Sequence, residues 1–341
     1  MKNSLIPSRQ IVLPLTLLAL ACGVVEHPHE RQALDTSDDF GPVGGSVATA
    51  GAAGAGVPLP PVGGSGGVAG TTAIGGTGGS GAPPLSGVTV TLGTTNVPKE
   101  RAIAFIHLGH SNMAGVSSMP SASRPYHLEE TNPRAYEYHA GTPPELALEP
   151  TARASGGRAT AGPGVALLKE ALAVAGADYY FISLGYGVNS AYCSQFLPGG
   201  LHYEDLMAGP IAIKDRVTFG AIFIYLGITE RHGTEADRTG FPNCINSLVT
   251  AIRNEVGAPN LPLLLNDYEV ESTGEFVVGG EVANAIMPQI AKVPMTVANS
   301  ALVSCDDIPM QDDHHFDLDG QRMWAQRAIM TMQQKGWAVW Q

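Results

Sequence analysis

The feature that most restricts the folding of this 341-residue chain is a long tract without ionisable side chains. From Gly41 to Pro98 there is no Asp, Glu, Lys, Arg or His, and most residues are Gly, Ala, Val, Ser, Thr or Pro. Such a composition cannot bury enough apolar surface to offset the entropy lost when a chain becomes ordered. We therefore expect residues 23–95 to form a disordered linker and residues 96–341 to form one folded domain.

The first 22 residues have the layout of a bacterial secretory signal peptide. Lys2 and Arg9 precede the apolar run 11–21, which is too short to cross a membrane as a helix. The run ends in Ala-Leu-Ala before Cys22, an order that resembles a lipoprotein box and would place lipid on the Cys22 thiol. An ordinary signal cleaved at the same bond is the alternative. The sequence predicts export from a bacterial cytoplasm, as a membrane-anchored lipoprotein or as a periplasmic or extracellular protein.

The charge of the chain argues against nucleic acid as a partner. The formal net charge is −12, and no run of Lys or Arg offers a track for phosphates. We expect contact with a membrane only through a lipid on Cys22. The other three cysteines are Cys193, Cys244 and Cys305, and an oxidising compartment allows one disulfide among them, whose pairing the sequence leaves open.

Beyond residue 100, short apolar runs alternate with stretches of helical spacing. Strands are predicted at 102–108, 179–184, 222–226, 261–265 and within 295–303, and helices at 165–175, 245–256, 281–290 and 320–334. This alternation is typical of a three-layer α/β/α fold with a doubly wound parallel sheet. In such sheets the functional loops leave the carboxyl ends of the strands.

The first predicted strand ends in a turn that carries a candidate nucleophile, Ser111. Gly109 before it and Gly115 after it permit a sharp strand-to-helix turn. Such a turn would raise the hydroxyl above the edge of the sheet and direct backbone N–H groups toward an oxyanion. A Gly-x-Ser turn alone is a weak signal, because most such serines are turn residues or helix caps.

A second candidate element is the segment 312–320, between the last predicted strand and the last helix. Asp312 precedes His315 by one turn of chain, so its carboxylate can orient that imidazole as a general base. Other interpretations remain open: Asp317 or Asp319 is placed to cap the helix, and the aspartates of this region could hold calcium. The aspartates lack the ordered spacing of a calcium loop, and no third well-spaced ligand accompanies the two histidines, so we predict no metal.

The segment Phe105–Gly115, which reads Phe-Ile-His-Leu-Gly-His-Ser-Asn-Met-Ala-Gly, resembles the first block of SGNH hydrolases. It is closest to their sialate O-acetylesterase and acetylxylan-esterase branch. The segment Asp312–Arg322 resembles the last block of that branch, and pieces at 136–139, 162–164 and 258–262 follow in family order. The resemblance covers residues from about 100 to 335. It implies a flavodoxin-like α/β/α fold and a serine esterase that needs no metal or organic cofactor.

The resemblance also implies roles for individual residues. Ser111 would be the nucleophile, His315 its base and Asp312 the carboxylate that orients this base. His110 would line the pocket. The oxyanion hole would be formed by Ser111, Gly187, Gly227 and Asn189, with Gly185 as an alternative to Gly187.

One block departs from the family pattern. Where the family has Trp-x-Gln-Gly-Glu-Ser-Asp, residues 224–230 read Ile-Tyr-Leu-Gly-Ile-Thr-Glu. Leu226 stands in place of the glutamine whose amide would donate to the oxyanion, and Ile228 stands in place of the acid. Loss of one such donor lowers the rate roughly a hundred- to a thousandfold unless Asn189 or Thr229 replaces it.

The sequence therefore predicts a carboxylic ester hydrolase that removes acetyl groups from a sugar or polysaccharide through an acyl-enzyme. The expected partner is an acetylated carbohydrate. A non-catalytic carbohydrate-binding surface protein on a degenerate esterase fold is the alternative, favoured by Leu226 and Ile228. A lipid or thioester hydrolase is a third interpretation, and it would need a long apolar groove.

Overall fold

The computed structural model of the chain describes residues 85–117, 130–152, 160–267, 286–312 and 315–340. The predicted signal peptide, Cys22, and most of the predicted linker lie outside the described residues, as do Asp313 and His314. None of the helices within the described ranges combines the length and the apolar character that a membrane span requires.

Strands and helices alternate along the described chain. The strands are β1 (Thr89–Leu92), β2 (Thr95–Pro98), β3 (Ala102–Gly109), β4 (Ala135–Glu137), β5 (Glu145–Leu146), β6 (Tyr180–Gly187), β7 (Thr218–Tyr225), β8 (Leu263–Asp267) and β9 (Ser300–Ser304). The α-helices are α1 (Ser111–Ala114), α2 (Gly164–Val174), α3 (Tyr203–Ile213), α4 (Ile228–Arg231), α5 (Glu235–Val256), α6 (Val293–Thr296) and α7 (Leu318–Gln334), and residues 286–290 are also helical. Short 3-10 turns occur at Lys99–Arg101 and Cys193–Phe196.

A seven-stranded sheet with the order β5-β4-β6-β3-β7-β8-β9 forms the centre of the domain. Its neighbouring strands are parallel, except for the antiparallel pair of β4 and β5. β3 lies between β6 and β7, so that β4, β5 and β6 lie on one side of it and β7, β8 and β9 on the other. The predicted doubly wound, flavodoxin-like fold is confirmed, and its topological switch point lies at the end of β3.

Two apolar layers cover the two faces of the sheet. Ile103 and Phe105 of β3 pack into the layer that α2 and α7 close, while Ile106 and Leu108 pack into the layer of α3 and α5. All eight residues of β3 are buried. A strand that is covered on both faces reads as a continuous apolar run, which is why the sequence locates β3 so well.

The N-terminal boundary of the domain differs from the prediction. The sequence predicts a linker up to residue 95, but β1 lies inside that segment and forms an antiparallel hairpin with β2. Val90, Leu92 and Val97 are buried in the layer of α3 and α5. β1 has the same uncharged composition as the linker. It differs from the linker in that exposed and buried residues alternate along it, as in a strand with one covered face.

Helix α3 is the largest element that the sequence analysis missed. Gly209 and Pro210 lie inside it and interrupt the helical pattern. Pro242 likewise lies inside α5, which begins at Glu235 rather than at the predicted 245. α5 starts where Thr234 and Asp237 form a reciprocal capping box.

A disulfide joins Cys193 to Cys244, while Cys305 is free and buried. The bond attaches the 3-10 turn that follows β6 to α5. The structure thereby supplies the pairing that the sequence leaves open.

Candidate active site

Ser111 is the first residue of α1, directly beyond the carboxyl end of β3. At Gly109 a Cβ atom would lie 2.3 Å from the carbonyl oxygen of Tyr225 on β7, so only glycine fits. His110 donates its backbone N–H to the same carbonyl at 3.3 Å. The chain therefore turns sharply at the switch point and carries Ser111 to the edge of the sheet where ligands bind in such folds.

Ser111, His315 and Asp312 form a hydrogen-bonded chain. His315 Nε2 lies 2.9 Å from Ser111 Oγ, and His315 Nδ1 lies 2.8 Å from Asp312 Oδ2. Asp312 Oδ1 also accepts the backbone N–H of His315 at 2.7 Å, so the carboxylate holds the histidine at two points. With its proton on Nδ1, the imidazole can accept the serine proton at Nε2, as nucleophilic acyl transfer requires.

A buried polar network fixes the serine turn against the histidine loop. Asn112 Oδ1 accepts the N–H of Phe316 at 2.9 Å, and Ser117 Oγ donates to the carbonyl oxygen of Phe316 at 2.5 Å. Gln321 Nε2 donates to the carbonyl oxygen of Asn112 and to Ser117 Oγ, both at 3.1 Å. Both backbone polar groups of the residue after the histidine are therefore held by residues that follow the serine. We name Asn112, Ser117 and Gln321 the clamp.

The sequence alone suggests no role for the three clamp residues. Their side chains are at most 1% exposed, and burial of polar groups demands partners. Asn112 and Gln321 lie within the two sequence blocks that carry the family resemblance, but 209 positions separate them. Only the fold reveals that the two amide side chains meet.

The predicted oxyanion glycines lie on either side of the serine turn. Gly187 ends β6 and Gly227 follows β7, and these two strands flank β3. Val188 donates its backbone N–H to the carbonyl oxygen of Gly109, the last residue of β3, at 3.0 Å. Successive residues of a parallel strand direct their N–H groups to opposite neighbours, so the N–H of Gly187 points away from β3. A Cβ atom on Gly187 would lie 2.4 Å from Ala114 Cα, and Gly227 has a φ of 117°. Both positions require glycine.

The segment after β7 contains the departure from the family pattern. Leu226 is fully buried and donates its backbone N–H to Asn266 Oδ1 at 3.0 Å, while its side chain carries no donor. Asn189 is exposed on the loop after β6. Ser190 Oγ of that loop lies 3.3 Å from Thr229 Oγ1, so the loops that carry both proposed replacements are in contact.

His110 does not line an open pocket, contrary to the prediction. Its side chain is fully buried, and its ring packs edge-to-face against Tyr225 with 5.7 Å between the ring centroids. Tyr225 also packs edge-to-face against Phe316 at 5.2 Å. Because Gly109 brings the turn close to β7, the histidine side chain enters the core instead of the solvent.

Two carboxylates hold loop segments by accepting backbone N–H groups. Glu149 accepts the N–H groups of Val165 at 2.7 Å and Gly162 at 3.1 Å at the start of α2. Burial raises the pKa of Glu149 to about 7, although these N–H donors oppose the shift. Glu230 accepts the N–H of Cys193, and burial raises the pKa of Glu230 as well. These contacts hold backbone segments in place.

Asp317, in the acidic segment near the histidine, has a structural role. Asp317 caps α7, because its Oδ1 accepts the N–H of Gly320 at 2.8 Å. Among the residues that the structure describes, no group of three or more His, Cys, Asp or Glu side chains is arranged to hold a metal ion. Asp317 therefore has the capping role that the sequence left as one option.

Comparison with known proteins identifies one family. A sequence profile described as carbohydrate esterase, sialic acid-specific acetylesterase matches residues 101–334, a range that contains Ser111, Asp312 and His315. A search of curated proteins gives no match.

Solved structures share the fold. A protein of Arabidopsis thaliana is 16% identical, with a TM-score of 0.57 over 70% of this chain and 99% of its own. The structure of NanS is 15% identical, with a TM-score of 0.54 over 70% of this chain and 98% of its own. At these identities the two structures establish the α/β/α architecture of the described domain.

Proposed function

The chain belongs to the carbohydrate esterase, sialic acid-specific acetylesterase family, and we propose that Ser111 is the nucleophile with which it cleaves acetyl esters of a carbohydrate. The family membership makes the protein a carboxylic ester hydrolase of the acetylesterase type. The observation that carries the residue roles is the hydrogen-bonded chain from Ser111 Oγ through His315 to Asp312, with contacts of 2.9 and 2.8 Å.

The proposed reaction has two halves. Ser111 Oγ attacks the acetyl carbonyl carbon while His315 Nε2 takes the serine proton, and the carboxylate of Asp312 stabilises the charged imidazole. The sugar oxygen then leaves with the proton from His315, and acetyl-Ser111 remains. In the second half His315 takes a proton from water, and the resulting hydroxide attacks the carbonyl carbon of acetyl-Ser111. The bond from that carbon to Ser111 Oγ then breaks, His315 returns its proton to Oγ, and acetic acid leaves and ionises to acetate.

The negative charge of each tetrahedral intermediate needs hydrogen-bond donors. We propose the backbone N–H of Ser111 as the first donor, with the backbone at Gly187 and the backbone at Gly227 on either side of it. The side chain of Leu226 has no hydrogen-bond donor, so we propose that the side-chain amide of Asn189 donates to the oxyanion instead. The contact between the Asn189 loop and Thr229 supports this assignment.

The non-catalytic alternative depends on Leu226. Without its side-chain donor, a degenerate carbohydrate-binding protein would retain the pocket but not the reaction. The hydrogen bonds that join Ser111, His315 and Asp312 argue against this alternative, because a protein that only binds sugar does not need them.

The N-terminal segments complete the proposal. We propose that residues 1–22 direct export, that lipid is attached to Cys22, and that the following segment links this anchor to the esterase domain. The disulfide between Cys193 and Cys244 supports export, since such bonds persist in oxidising compartments. The mass of the mature N-terminal peptide tests the anchor, and an unmodified Cys22 would contradict it.

The test of the function is acetate release by the full-length protein from acetylated xylan or O-acetylated sialic acid, together with hydrolysis of p-nitrophenyl acetate. We expect Asp312→Asn to lower kcat/KM about 10²–10⁴-fold, because His315 loses the charge that orients it. Asp306→Asn changes an exposed carboxylate outside the hydrogen-bonded chain and serves as the control. Sugar binding without any turnover by the wild type would favour the non-catalytic alternative.

Gln321→Ala tests whether the clamp positions His315. We expect the free energy of unfolding to fall by about 1–3 kcal/mol, because buried partners lose a hydrogen bond. We also expect kcat/KM for p-nitrophenyl acetate to fall roughly ten- to a hundredfold, since a small displacement of a reacting group is costly. Denaturant titrations and initial rates measure the two effects. Activity equal to that of Gln334→Ala, on an exposed part of the same helix, would contradict the positioning role.

A further inference from the structure

Glu149 holds the segment that leads into α2. Its Oε1 accepts the backbone N–H of Val165 at 2.7 Å, and its Oε2 accepts that of Gly162 at 3.1 Å. The N-cap residue of α2 is Pro163, which has no polar side chain, so the Glu149 carboxylate satisfies donors at this end of the helix. Protonation would put an O–H donor on one of the two oxygens and weaken its contact with the N–H group. The ionised form of Glu149 therefore suits these contacts best.

The segment that Glu149 holds is hydrogen-bonded to the chain at the end of α1. Ser117 of the clamp and Ala161 exchange two backbone hydrogen bonds, at 3.1 and 2.9 Å. Thr160 Oγ1 donates to the carbonyl oxygen of Gly115, the C-cap residue of α1. Three hydrogen bonds thus join this segment to the chain directly after the helix that begins with the serine.

Displacement of this segment would affect both the nucleophile and the base. At Gly162 an added Cβ atom would lie 3.0 Å from the carbonyl oxygen of Met113, so the segment packs directly against α1. Ser117 Oγ donates to the carbonyl oxygen of Phe316, the residue after His315. The segment before α2 is therefore in contact with the helix that carries the nucleophile and is linked, through Ser117, to the loop that carries the base.

The chain next to Glu149 is also connected to α1 from the side of β3. Thr151 Oγ1 lies 3.3 Å from Nε2 of His107 on β3, and His107 Nδ1 lies 3.3 Å from Met113 Sδ. His107 is buried, and burial lowers its pKa to about 3, so the imidazole is neutral. Two routes therefore connect the surroundings of Glu149 with α1, one through the segment before α2 and one through His107.

The surroundings of Glu149 oppose its ionisation. Burial raises the pKa of this carboxyl group from its usual 4.5 to about 7, against the effect of its N–H donors, and the carboxylate of Glu137 on β4 adds to the rise. His139 Nε2 lies 3.5 Å from Glu137 Oε2. Because the folded protein holds this proton more tightly than the unfolded chain, the group stabilises the fold most at low pH. That contribution is lost as the pH rises through about 7, so stability alone does not explain a carboxylate here.

We infer that Glu149 is a positioning residue of the proposed reaction, whose carboxylate fixes the segment before α2 and thereby the alignment of Ser111 with His315. Glu149 does not touch the reacting atoms. The inference rests on the proposed function, because it concerns the alignment of the groups proposed to act there. It implies opposite effects of pH at one residue, since ionisation of Glu149 favours the alignment while protonation favours the folded state.

The test compares the full-length wild type with Glu149→Gln, whose amide keeps the shape of the side chain but turns a donor toward one N–H group. At about pH 8 we expect kcat/KM for p-nitrophenyl acetate to fall roughly ten- to a hundredfold. Toward about pH 5.5, kcat/KM should fall more steeply for the wild type, because only the wild type loses a charge at this position. Over the same range the denaturant midpoint of the wild type should rise relative to that of the variant. Glu145→Gln, on an exposed carboxylate of β5, is the matched control and should behave as the wild type.

A second variant tests the route from Glu149 to α1. Thr160→Val removes the hydroxyl that donates to Gly115 and should lower kcat/KM about fivefold at unchanged Glu149 contacts. If both residues act through one route, the double variant should lose less than the product of the two single losses. The rate at which Ser111 is modified by a fluorophosphonate, followed by mass spectrometry, repeats these comparisons without an ester substrate.

The outcomes separate the inference from the proposed function. Ester turnover by the wild type with equal rates in Glu149→Gln, or with activity and stability changing in parallel with pH, would support the function and overturn the inference. Modification of Ser111 at a rate that depends on Glu149, in a wild type that hydrolyses no ester, would support the inference and reject the function. Neither hydrolysis nor modification by the wild type would reject both. Should Glu149→Gln fail to fold, a rate of Thr160→Val equal to that of the wild type would overturn the inference.

Discussion

Ser111→Ala is expected to lower kcat/KM for acetyl esters about 10⁴–10⁶-fold while the domain remains folded. The substitution removes the oxygen that forms the acyl-enzyme, and only binding and the oxyanion donors remain to assist water. Ser111 is 7% exposed and loses one hydrogen bond, to His315, so the free energy of unfolding should fall by only about 1 kcal/mol. Initial rates and denaturant titrations measure the two quantities.

A matched serine and a mass measurement make this prediction specific. Ser247→Ala removes an exposed hydroxyl on α5 and is expected to alter neither rate nor stability appreciably. When the wild type is quenched during turnover of p-nitrophenyl acetate, an added acetyl group should be found on the peptide that contains Ser111. Retention of more than about a tenth of the wild-type rate by Ser111→Ala would show that another group is the nucleophile.

Loss of the Cys193–Cys244 disulfide is expected to lower the free energy of unfolding by about 4 kcal/mol. The bond joins residues separated by 51 positions, and the chain-entropy model gives a value of this size for such a loop. Denaturant titration of the Cys193→Ala and Cys244→Ala double variant, compared with the oxidised wild type, measures the effect. The bond constrains the unfolded chain, so the folded site should change less than the stability.

Reduction of the wild-type protein provides an independent measurement. A reducing agent should bring the stability of the wild type to that of the double variant and should leave the double variant unchanged. The reducing agent is added to unfolded protein, where the disulfide is accessible. If it left the unfolding midpoint of the wild type unchanged, the disulfide would not contribute to stability. Cys305 is buried and outside the bond, so it should not account for a difference between the proteins.

Much of the fold could be predicted because local patterns encode it. β3 is a continuous apolar run, and the glycines around Ser111 mark the turn that follows. The hairpin of β1 and β2 was missed because Val90 and Leu92 occur in a segment whose composition matches the linker. α3 was missed because Gly209 and Pro210 hide a helix that tertiary packing stabilises.

The candidate site likewise contains residues that local motifs indicate and residues that only the fold brings together. Ser111, Asp312 and His315 could be selected because each lies in a short motif, and the structure brings them within hydrogen-bonding distance. The clamp and the disulfide pairing could not be selected, since nothing local identifies which distant polar groups or thiols will meet. The burial of His110 follows from the closeness of β7, which no pattern within the turn reports.

The clamp has a consequence for how the protein becomes active. Asn112 and Gln321 are separated by 209 positions, so the serine and the histidine come together only when two segments far apart in the chain have been brought into contact. A chain that ended before Asp312 would retain the nucleophile but no base. Closing so long a loop is slow compared with forming local structure. Esterase activity would therefore appear late in folding, after the segment that carries His315 and Gln321 has docked against the serine turn.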